Sequence, residues 1–140
     1  MARYKRLDRE VLLGEALADA VSEVGLLQEE MQNWLDALDD NDGLRETMKH
    51  DEVEEASDGL LRGLEYLEGL PAVRSKKKVR VVELRPYGRK PMPRWMRLQN
   101  AVNVMEVALD EFEEQGDVDF VDNLRDAMEE LLGVEFPGMF

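Results

Sequence analysis

Apolar residues in the first third of the chain recur at alternating spacings of four and three, and this pattern constrains the fold more than any other feature. The series is Leu13, Leu17, Ala20, Val24, Leu27, Met31, Trp34 and Leu38. It predicts one long helix over residues 8–39, which at the helical rise per residue would extend about 48 Å. Four further apolar residues flank the seam: Ala16, Val21, Leu35 and Ala37. The apolar stripe is therefore too wide for one partner helix and favours a bundle.

A second helix is predicted to begin at Asp51, because Asp51 and Glu54 have the spacing of a capping box. Its apolar stripe comprises Val53, Ala56, Leu60, Leu64 and Leu67. Gly69 and Pro71 would end it. The first two helices are therefore expected to form an antiparallel hairpin over residues 8–70.

Two further helices are predicted in the last third of the chain, over residues 94–114 and 119–132. Their apolar stripes are Leu98, Ala101, Met105, Ala108 and Phe112 in the first, and Val121, Leu124, Met128 and Leu131 in the second. They would form a second hairpin over residues 94–133. An apolar tail, residues 134–140, follows it.

The segment between the hairpins, residues 71–93, differs in character. Its residues 79–84 are rich in β-branched side chains and lie between Ser75 and Pro86, which predicts a short β-strand. A single strand is not stable in water, so this one needs a partner. The sequence leaves three partners open: residues 71–73, a second copy of the chain, or another protein.

These elements together predict an all-α fold in a single domain over residues 1–140. It would consist of two antiparallel helical hairpins joined by a basic segment that contains a short β-strand. The wide apolar stripes would also favour association between copies, so we expect a homo-oligomer.

Few residues are suited to catalysis or to metal binding. The chain has no cysteine, which excludes a disulfide framework, a thiolate nucleophile and a cysteine-based zinc site. The single histidine, His50, is expected to be a solvated loop residue. Glu52, Glu55 and Asp58 have the spacings of magnesium-dependent nucleotide hydrolases, but they share one helix and that chemistry needs two facing helices. We therefore predict a non-enzymatic protein without metal or cofactor.

The apolar runs of the sequence are too short for a secretory signal or for a membrane-spanning helix. Glu10, Glu15 and Asp19 interrupt the apolar residues near the N-terminus, whereas a secretory signal has about 7 to 15 apolar residues in a row. No run approaches the roughly 18 apolar residues of a membrane span. We expect a cytoplasmic protein that makes no membrane contact.

Charge is sorted along the chain. The formal net charge is -14, yet ten of the 18 basic residues lie between positions 74 and 97, where Glu83 is the only acid. They are Arg74, Lys76, Lys77, Lys78, Arg80, Arg85, Arg89, Lys90, Arg94 and Arg97. Interleaved with Tyr87 and Trp95, they are suited to phosphate contacts and base stacking on nucleic acid. The net negative charge of the chain opposes approach to nucleic acid, and it favours the competing interpretation, in which this basic segment packs against acidic helices of its own chain or of a second copy.

The helices on either side of the basic segment are acidic. The carboxylates expected to face a partner are Glu23, Glu29, Glu30, Asp36, Asp110, Glu111 and Glu114. Surfaces of opposite charge steer partners together. The sequence thus predicts a protein-binding module whose acidic helical faces dock on a basic surface of a partner protein. The alternative is a nucleic-acid-binding accessory protein that uses residues 74–97.

Residues 27–36, Leu-Gln-Glu-Glu-Met-Gln-Asn-Trp-Leu-Asp, resemble a helical-hairpin pattern of small uncharacterised proteins from bacteriophages and environmental bacteria. Residues 54–56 and 60–68 continue the resemblance, and residues 94–109, which contain Asn-Ala-Val, are similar to a second segment of those proteins. The resemblance implies a phage or mobile-element origin. It also implies one of two roles in the host cytoplasm, either a host-defence inhibitor or an assembly component.

Overall fold

The computed structural model describes residues 4–41, 43, 48–73 and 75–137, and it contains four helices and two strands in that part of the chain. In chain order these are strand β1 (Tyr4–Leu12), helix α1 (Leu13–Asp39), helix α2 (Met48–Glu68), strand β2 (Lys78–Pro86), helix α3 (Arg94–Gln115) and helix α4 (Val118–Leu132).

The four helices form an antiparallel bundle. Helix α1 packs against α2 and α3, and α4 packs against the same two helices. His50 of α2 contacts Asp39 at the end of α1, and Ser57, further along α2, contacts Gln28, which lies earlier in α1. Since residues later in α1 contact residues earlier in α2, these two helices run in opposite directions. The contacts of Arg94 with Glu30 and of Arg97 with Glu23 show the same for α1 and α3. The seam between α1 and α3 therefore lies across the bundle from the seam between α2 and α4.

The apolar stripes predicted from the sequence form the core. The stripes of α3 and α4 are buried throughout, and so is the seam of α1 apart from the half-buried Trp34. In α2 only Leu64 of the predicted stripe is half-buried. The four stripes face one another within one chain, so the wide seam of α1 is covered by α2 and α3 without a second copy.

The expected all-α class is wrong, because β1 and β2 form a two-stranded antiparallel sheet and the fold is mixed, with helices dominating. The strands pair from Tyr4 opposite Pro86 to Leu12 opposite Lys78. The strand predicted at residues 79–84 is confirmed and extends further at both ends. Its partner is the N-terminal segment, which was none of the three considered. Pairing satisfies backbone groups along both strands, and this gain overrides the local preference for helix in β1.

Helix α1 therefore begins at Leu13 rather than at Asp8. The N–H of Leu13 donates to the carbonyl of Lys77 at 2.9 Å. The backbone hydrogen bonds between the two chain segments therefore extend past the sheet to the first residue of α1. Gly14 permits this junction, because a Cβ there would lie 2.5 Å from the backbone oxygen of Val73. The end of the sheet and the start of the bundle are thus tightly joined.

The other helices lie close to their predicted positions. Helix α2 begins at Met48, so Asp51 and Glu54 lie inside the helix and the predicted capping box is wrong. Helices α3 and α4 each differ from the predicted bounds by one residue at one end. Within the described ranges, no helix is both long enough and apolar enough to cross a membrane.

The sheet is attached to α3 by one edge of β2. The side chain of Asn100 accepts the N–H of Leu84 at 2.7 Å and donates to the carbonyl of Leu84 at 3.0 Å. Asn103 donates to the carbonyl of Val82 at 3.1 Å. Since alternate residues of a strand direct their backbone groups to the same edge, both asparagines bind the edge of β2 that faces away from β1.

Helix α2 closely approaches α4 and the residues that follow it at two glycines. A Cβ on Gly63 would lie 2.6 Å from Cδ2 of Leu131, and one on Gly59 would lie 2.9 Å from Cγ2 of Val134. Val134 also packs against the core, so the predicted apolar tail, 134–140, begins on the bundle. The last three residues of that tail lie outside the described residues.

Candidate functional site

The C-terminal part of the predicted basic segment is used inside the molecule. Arg97, whose side chain is 20% exposed, binds Glu23 and Glu30 of α1 together, with Nη2 2.8 Å from Oε2 of Glu30. Arg94 lies 3.1 Å from Glu30 and stacks over Trp34. We call the four charged residues the arginine clasp, because they join α3 to α1. The hydrogen bond from Arg97 holds the pKa of Glu30 below its ordinary value, and Glu30 and Glu23 raise the pKa of Arg97.

The seven carboxylates expected to face a partner do not form one surface. Glu23 and Glu30 belong to the arginine clasp, and Glu111 binds Nζ of Lys77 at 2.6 Å, which raises the pKa of that lysine. The remaining four, which are exposed, are Glu29, Asp36, Asp110 and Glu114. The two on α1 lie near the clasp, whereas the two on α3 lie roughly 20 Å further along the bundle. The expected acidic face is thus partly neutralised and divided.

A more concentrated acidic surface lies at the seam between α2 and α4. The seam widens there into a cleft of about 690 Å3, which we call the acidic cleft. Its carboxylates are Glu52, Glu55, Glu129, Glu130 and Glu135. Among the described residues Arg62 is the one cation that lines the cleft, and its Nε lies 2.9 Å from Glu130. That hydrogen bond raises the pKa of Arg62.

Most of the negative charge in the acidic cleft is not neutralised by the chain itself. Glu130 is paired with Arg62, and Glu52 lies 3.6 Å from Nζ of Lys49 at the edge of the cleft. In the part of the chain that the structure describes, three carboxylates have no cation within ion-pair distance: Glu55, Glu129 and Glu135. The cleft therefore presents uncompensated negative charge to the surroundings.

All four helices end with acidic residues, which opposes the helix dipole. The last turns contain Asp36 and Asp39 in α1, Glu65 and Glu68 in α2, Glu113 and Glu114 in α3, and Glu129 and Glu130 in α4, with no basic residue in any of them. A carboxylate near a helix C-terminus costs about 0.3 to 1 kcal/mol at low ionic strength. The acidic surface is thus more extensive than stability alone would favour.

The sheet carries the opposite charge. We define the basic ribbon as residues 4–12 together with residues 76–90, which hold ten basic residues and three acids. In the described part of the chain six of those cations have no carboxylate within ion-pair distance: Lys5, Arg6, Lys76, Arg80, Arg89 and Lys90. The others are Arg9 and Arg85, which share Glu83, and Lys77 and Lys78, which contact Glu111 and Glu10.

The basic ribbon also has aromatic side chains near its end. Tyr87 is 55% exposed in the turn that contains Arg89, and Trp95 is 46% exposed at the start of α3. Trp95 packs edge-on against Tyr4 of β1, with ring centroids 5.5 Å apart. Exposed rings beside cations are the combination that single-stranded nucleic acid binds. Arg74, the first residue of the predicted basic segment, lies outside the described residues.

The structure supplies the facing helix that the sequence lacked for magnesium chemistry. Glu52 and Glu55 of α2 face Glu129 and Glu130 of α4 across the acidic cleft. Over the described ranges, however, no three acidic or histidine side chains converge closely enough to hold a metal ion. The cleft has the charge of a metal site without its geometry.

His50 is not the solvated loop residue that was expected. It lies in the first turn of α2, is buried, and has Nε2 2.6 Å from Oδ1 of Asp39. The hydrogen bond to the carboxylate of Asp39 raises the pKa of His50 above its ordinary value, with a further contribution from Asp51. The pair joins the end of α1 to the start of α2.

Two parts of the candidate site were missed by sequence reasoning. Lys5, Arg6 and Arg9 join the basic ribbon because β1 pairs with β2, and the excess of positive charge at the N-terminus was the available signal. Glu129 and Glu135 join the acidic cleft because α4 packs on α2 through Gly59 and Gly63, and no local pattern indicates that pairing. Comparison of the chain with protein-family models, with curated proteins and with solved structures found no match.

Proposed function

We propose that this chain is a non-enzymatic protein-binding module that docks the acidic cleft on a basic surface of a partner protein. The observation that carries the proposal is the group of three uncompensated carboxylates, Glu55, Glu129 and Glu135, that line the acidic cleft. In the host cytoplasm the partner would be a defence protein that the module inhibits, or a component of an assembly.

Electrostatics favours the acidic cleft over the carboxylates first expected to make this contact. A lysine or arginine that enters the cleft meets several acids at once, whereas Glu23 and Glu30 are already bound to Arg97. Releasing those two acids for a partner would leave the arginine without its ion pairs. The two walls of the cleft also pack closely together at Gly59 and Gly63, where an added Cβ would clash with Val134 and Leu131. The site is therefore formed before the partner arrives.

The decisive experiment compares two charge-reversed variants with equal net charge. The cleft variant carries Glu55→Lys, Glu129→Lys and Glu135→Lys. The control variant carries three matching charge reversals at exposed acids elsewhere: Glu29→Lys, Asp110→Lys and Glu114→Lys. The two variants and the wild-type chain are used in parallel, in separate experiments, to capture partners from a bacterial lysate. The dissociation constant of any partner that depends on the cleft is then measured at low and high salt.

We expect the wild-type chain and the control variant to bind one basic partner. The cleft variant should bind that partner about tenfold or more weakly, and the affinity should fall as the salt concentration rises. Equal losses in both variants would show that only net charge matters. Affinity that does not change with salt would contradict docking through charge. Unfolding curves of both variants are recorded first, so that a loss of folding is not taken for a loss of binding.

A second candidate function is nucleic-acid binding by the basic ribbon. It is favoured by the exposed ring of Tyr87, which lies in the same turn as Arg89, and by the exposed ring of Trp95 at the start of α3. A gel shift with single-stranded DNA at low salt tests it. The double variant Arg89→Ala and Lys90→Ala should weaken the shift if the ribbon binds phosphates. The absence of any shift with the wild-type chain would eliminate this candidate and leave the first untouched.

A further inference from the structure

A groove of about 620 Å3 lies between the basic ribbon, α1 and α3. Its lining includes apolar side chains from all three: Val11 and Val81 of the ribbon, Ala16 and Ala20 of α1, and Val104 of α3. We call it the ribbon groove. It belongs to the α1/α3 side of the bundle and is separate from the acidic cleft, which lies between α2 and α4.

The ribbon groove is open because the helices beneath the sheet carry small side chains there. Ala16, Ala20 and Ala101 occupy the positions at which α1 and α3 pass below the ribbon. Asn100 holds the edge of β2 on α3 through two hydrogen bonds to Leu84, so the sheet does not collapse onto these alanines. The result is a preformed apolar depression of a size typical of ligand sites.

The charges around the ribbon groove favour one kind of occupant. Its two cations are already paired, Arg9 with Glu83 and Arg97 in the arginine clasp. In the described part of the chain, Glu15 and Asp19 at the edge of the groove have no cationic partner. A third edge carboxylate, Glu10, has only Lys78 at 3.9 Å. The groove therefore combines an apolar floor with a negative edge.

We propose that the ribbon groove binds a short peptide segment of a partner, in which apolar side chains are flanked by lysine or arginine. The apolar side chains enter the groove and cover the alanines and valines of its floor, while the flanking cations contact Glu15 and Asp19 at the edge. A segment of this composition meets both features at once. An acidic segment is repelled at the edge, and a polar one gains nothing from the floor. This binding site goes beyond the acidic cleft and does not depend on it.

Two synthetic peptides of equal charge test the proposal. The first is Lys-Lys-Leu-Phe-Lys-Lys and the second is Lys-Lys-Ser-Ser-Lys-Lys, both labelled for fluorescence anisotropy. Any general attraction to acidic surfaces acts on both, so their difference isolates the apolar contact. The wild-type chain should bind the first peptide about tenfold or more tightly than the second.

Variants of α1 then locate that difference. Ala16→Leu places a larger side chain in the ribbon groove and should remove the preference for the apolar peptide. Ala18→Leu makes the same change at an exposed position outside the groove and should keep it. The double variant Glu15→Gln and Asp19→Asn should bind both peptides more weakly, and should still bind the apolar peptide more tightly than the serine peptide.

The proposal is overturned if the wild-type chain binds both peptides equally, or binds neither. It is also overturned if Ala16→Leu and Ala18→Leu have the same effect. Because residue 16 is only partly buried, Ala16→Leu should remain folded, and its helical circular dichroism signal should match that of the wild-type chain. The cleft variant described above should keep the preference for the apolar peptide, so failure of docking at the acidic cleft and failure here are distinguishable.

Discussion

The two opposite seams of the bundle both carry carboxylates but use them differently. At the α1/α3 seam, Arg94 and Arg97 bind the acids of α1 in the arginine clasp. At the α2/α4 seam, Arg62 is the one cation lining the acidic cleft in the described part of the chain, and it contacts Glu130 alone. The first arrangement joins two hairpins, and the second leaves charge for a partner. Acidic composition alone therefore does not locate a binding surface.

The largest expected effect separates these two seams directly. Arg97→Ala leaves Glu23 without its cation and Glu30 with Arg94 alone, and should lower the free energy of unfolding by about 2 to 3 kcal/mol. Arg62→Ala removes an exposed ion pair and should produce a much smaller loss. Urea unfolding of the two variants checks the difference. Equal losses would contradict the distinction between the seams.

The next effect concerns the attachment of the basic ribbon to the α1/α3 side. Asn100→Ala leaves both backbone groups of the buried Leu84 without their partner, and should cost about 2 kcal/mol. Asn103→Ala removes a single bond to the carbonyl of Val82, whose residue is exposed, and should cost less than half as much. Hydrogen exchange at the amide of Leu84 should increase in the first variant only. Unchanged exchange there would show that the edge of β2 is held by other contacts.

A smaller effect tests how closely the helices approach on the α2/α4 side. Gly63→Ala would bring a Cβ to 2.6 Å from the side chain of Leu131, and should destabilise the fold by about 1 to 2 kcal/mol as the leucine shifts. Gly25→Ala in α1 meets no atom within 4 Å, and should stabilise by about 1 kcal/mol through helix propensity. Opposite signs in thermal unfolding support the close contact. A stabilised Gly63→Ala would mean that the walls of the acidic cleft are not in contact.

The smallest effect is the pH dependence at the end of the bundle where α1 meets α2. The pKa of His50 is raised in the folded chain by Asp39, so the contribution of this pair to stability is fully present below the ordinary pKa of histidine, about 6.5, and is lost as pH rises through the higher folded value. His50→Gln should remove that dependence. Unfolding free energies of both proteins, measured from about pH 5.5 to about pH 9, should show a difference that shrinks as pH rises. A constant difference would contradict the shift.

The helices were predictable because their signal is local and repeated. Heptad spacing in α1 and the stripes of α3 and α4 identified most core positions of these helices, since burial of one face imposes a period close to that of the helix. The stripes of α3 and α4 missed Met96, Val102, Phe120 and Ala127. The strand at residues 79–84 was predictable from β-branched composition. Its partner was not, because pairing joins residues more than 60 positions apart and leaves no periodic trace in β1.

For the candidate sites, too, the sequence predicted the local features but not the contacts between distant segments. The sequence showed that basic residues cluster between positions 74 and 97 and that the helices are acidic. It did not show that Arg94 and Arg97 would be bound by Glu23 and Glu30, or that Lys5 and Arg6 would join the basic residues of β2 by strand pairing. Which charges are neutralised depends on which helices become neighbours. That depends on packing rather than on spacing.

By itself, the sequence determined four amphipathic helices, an aliphatic core and a separation of charge along the chain, because each follows from residue types at short range. Only the tertiary structure decided that the N-terminal segment is a strand, that the α1/α3 seam neutralises its own acids, and that the acidic cleft and the ribbon groove open on different sides of the bundle. Ion pairing and cavity formation depend on distances between segments remote in sequence, and folding alone sets those distances.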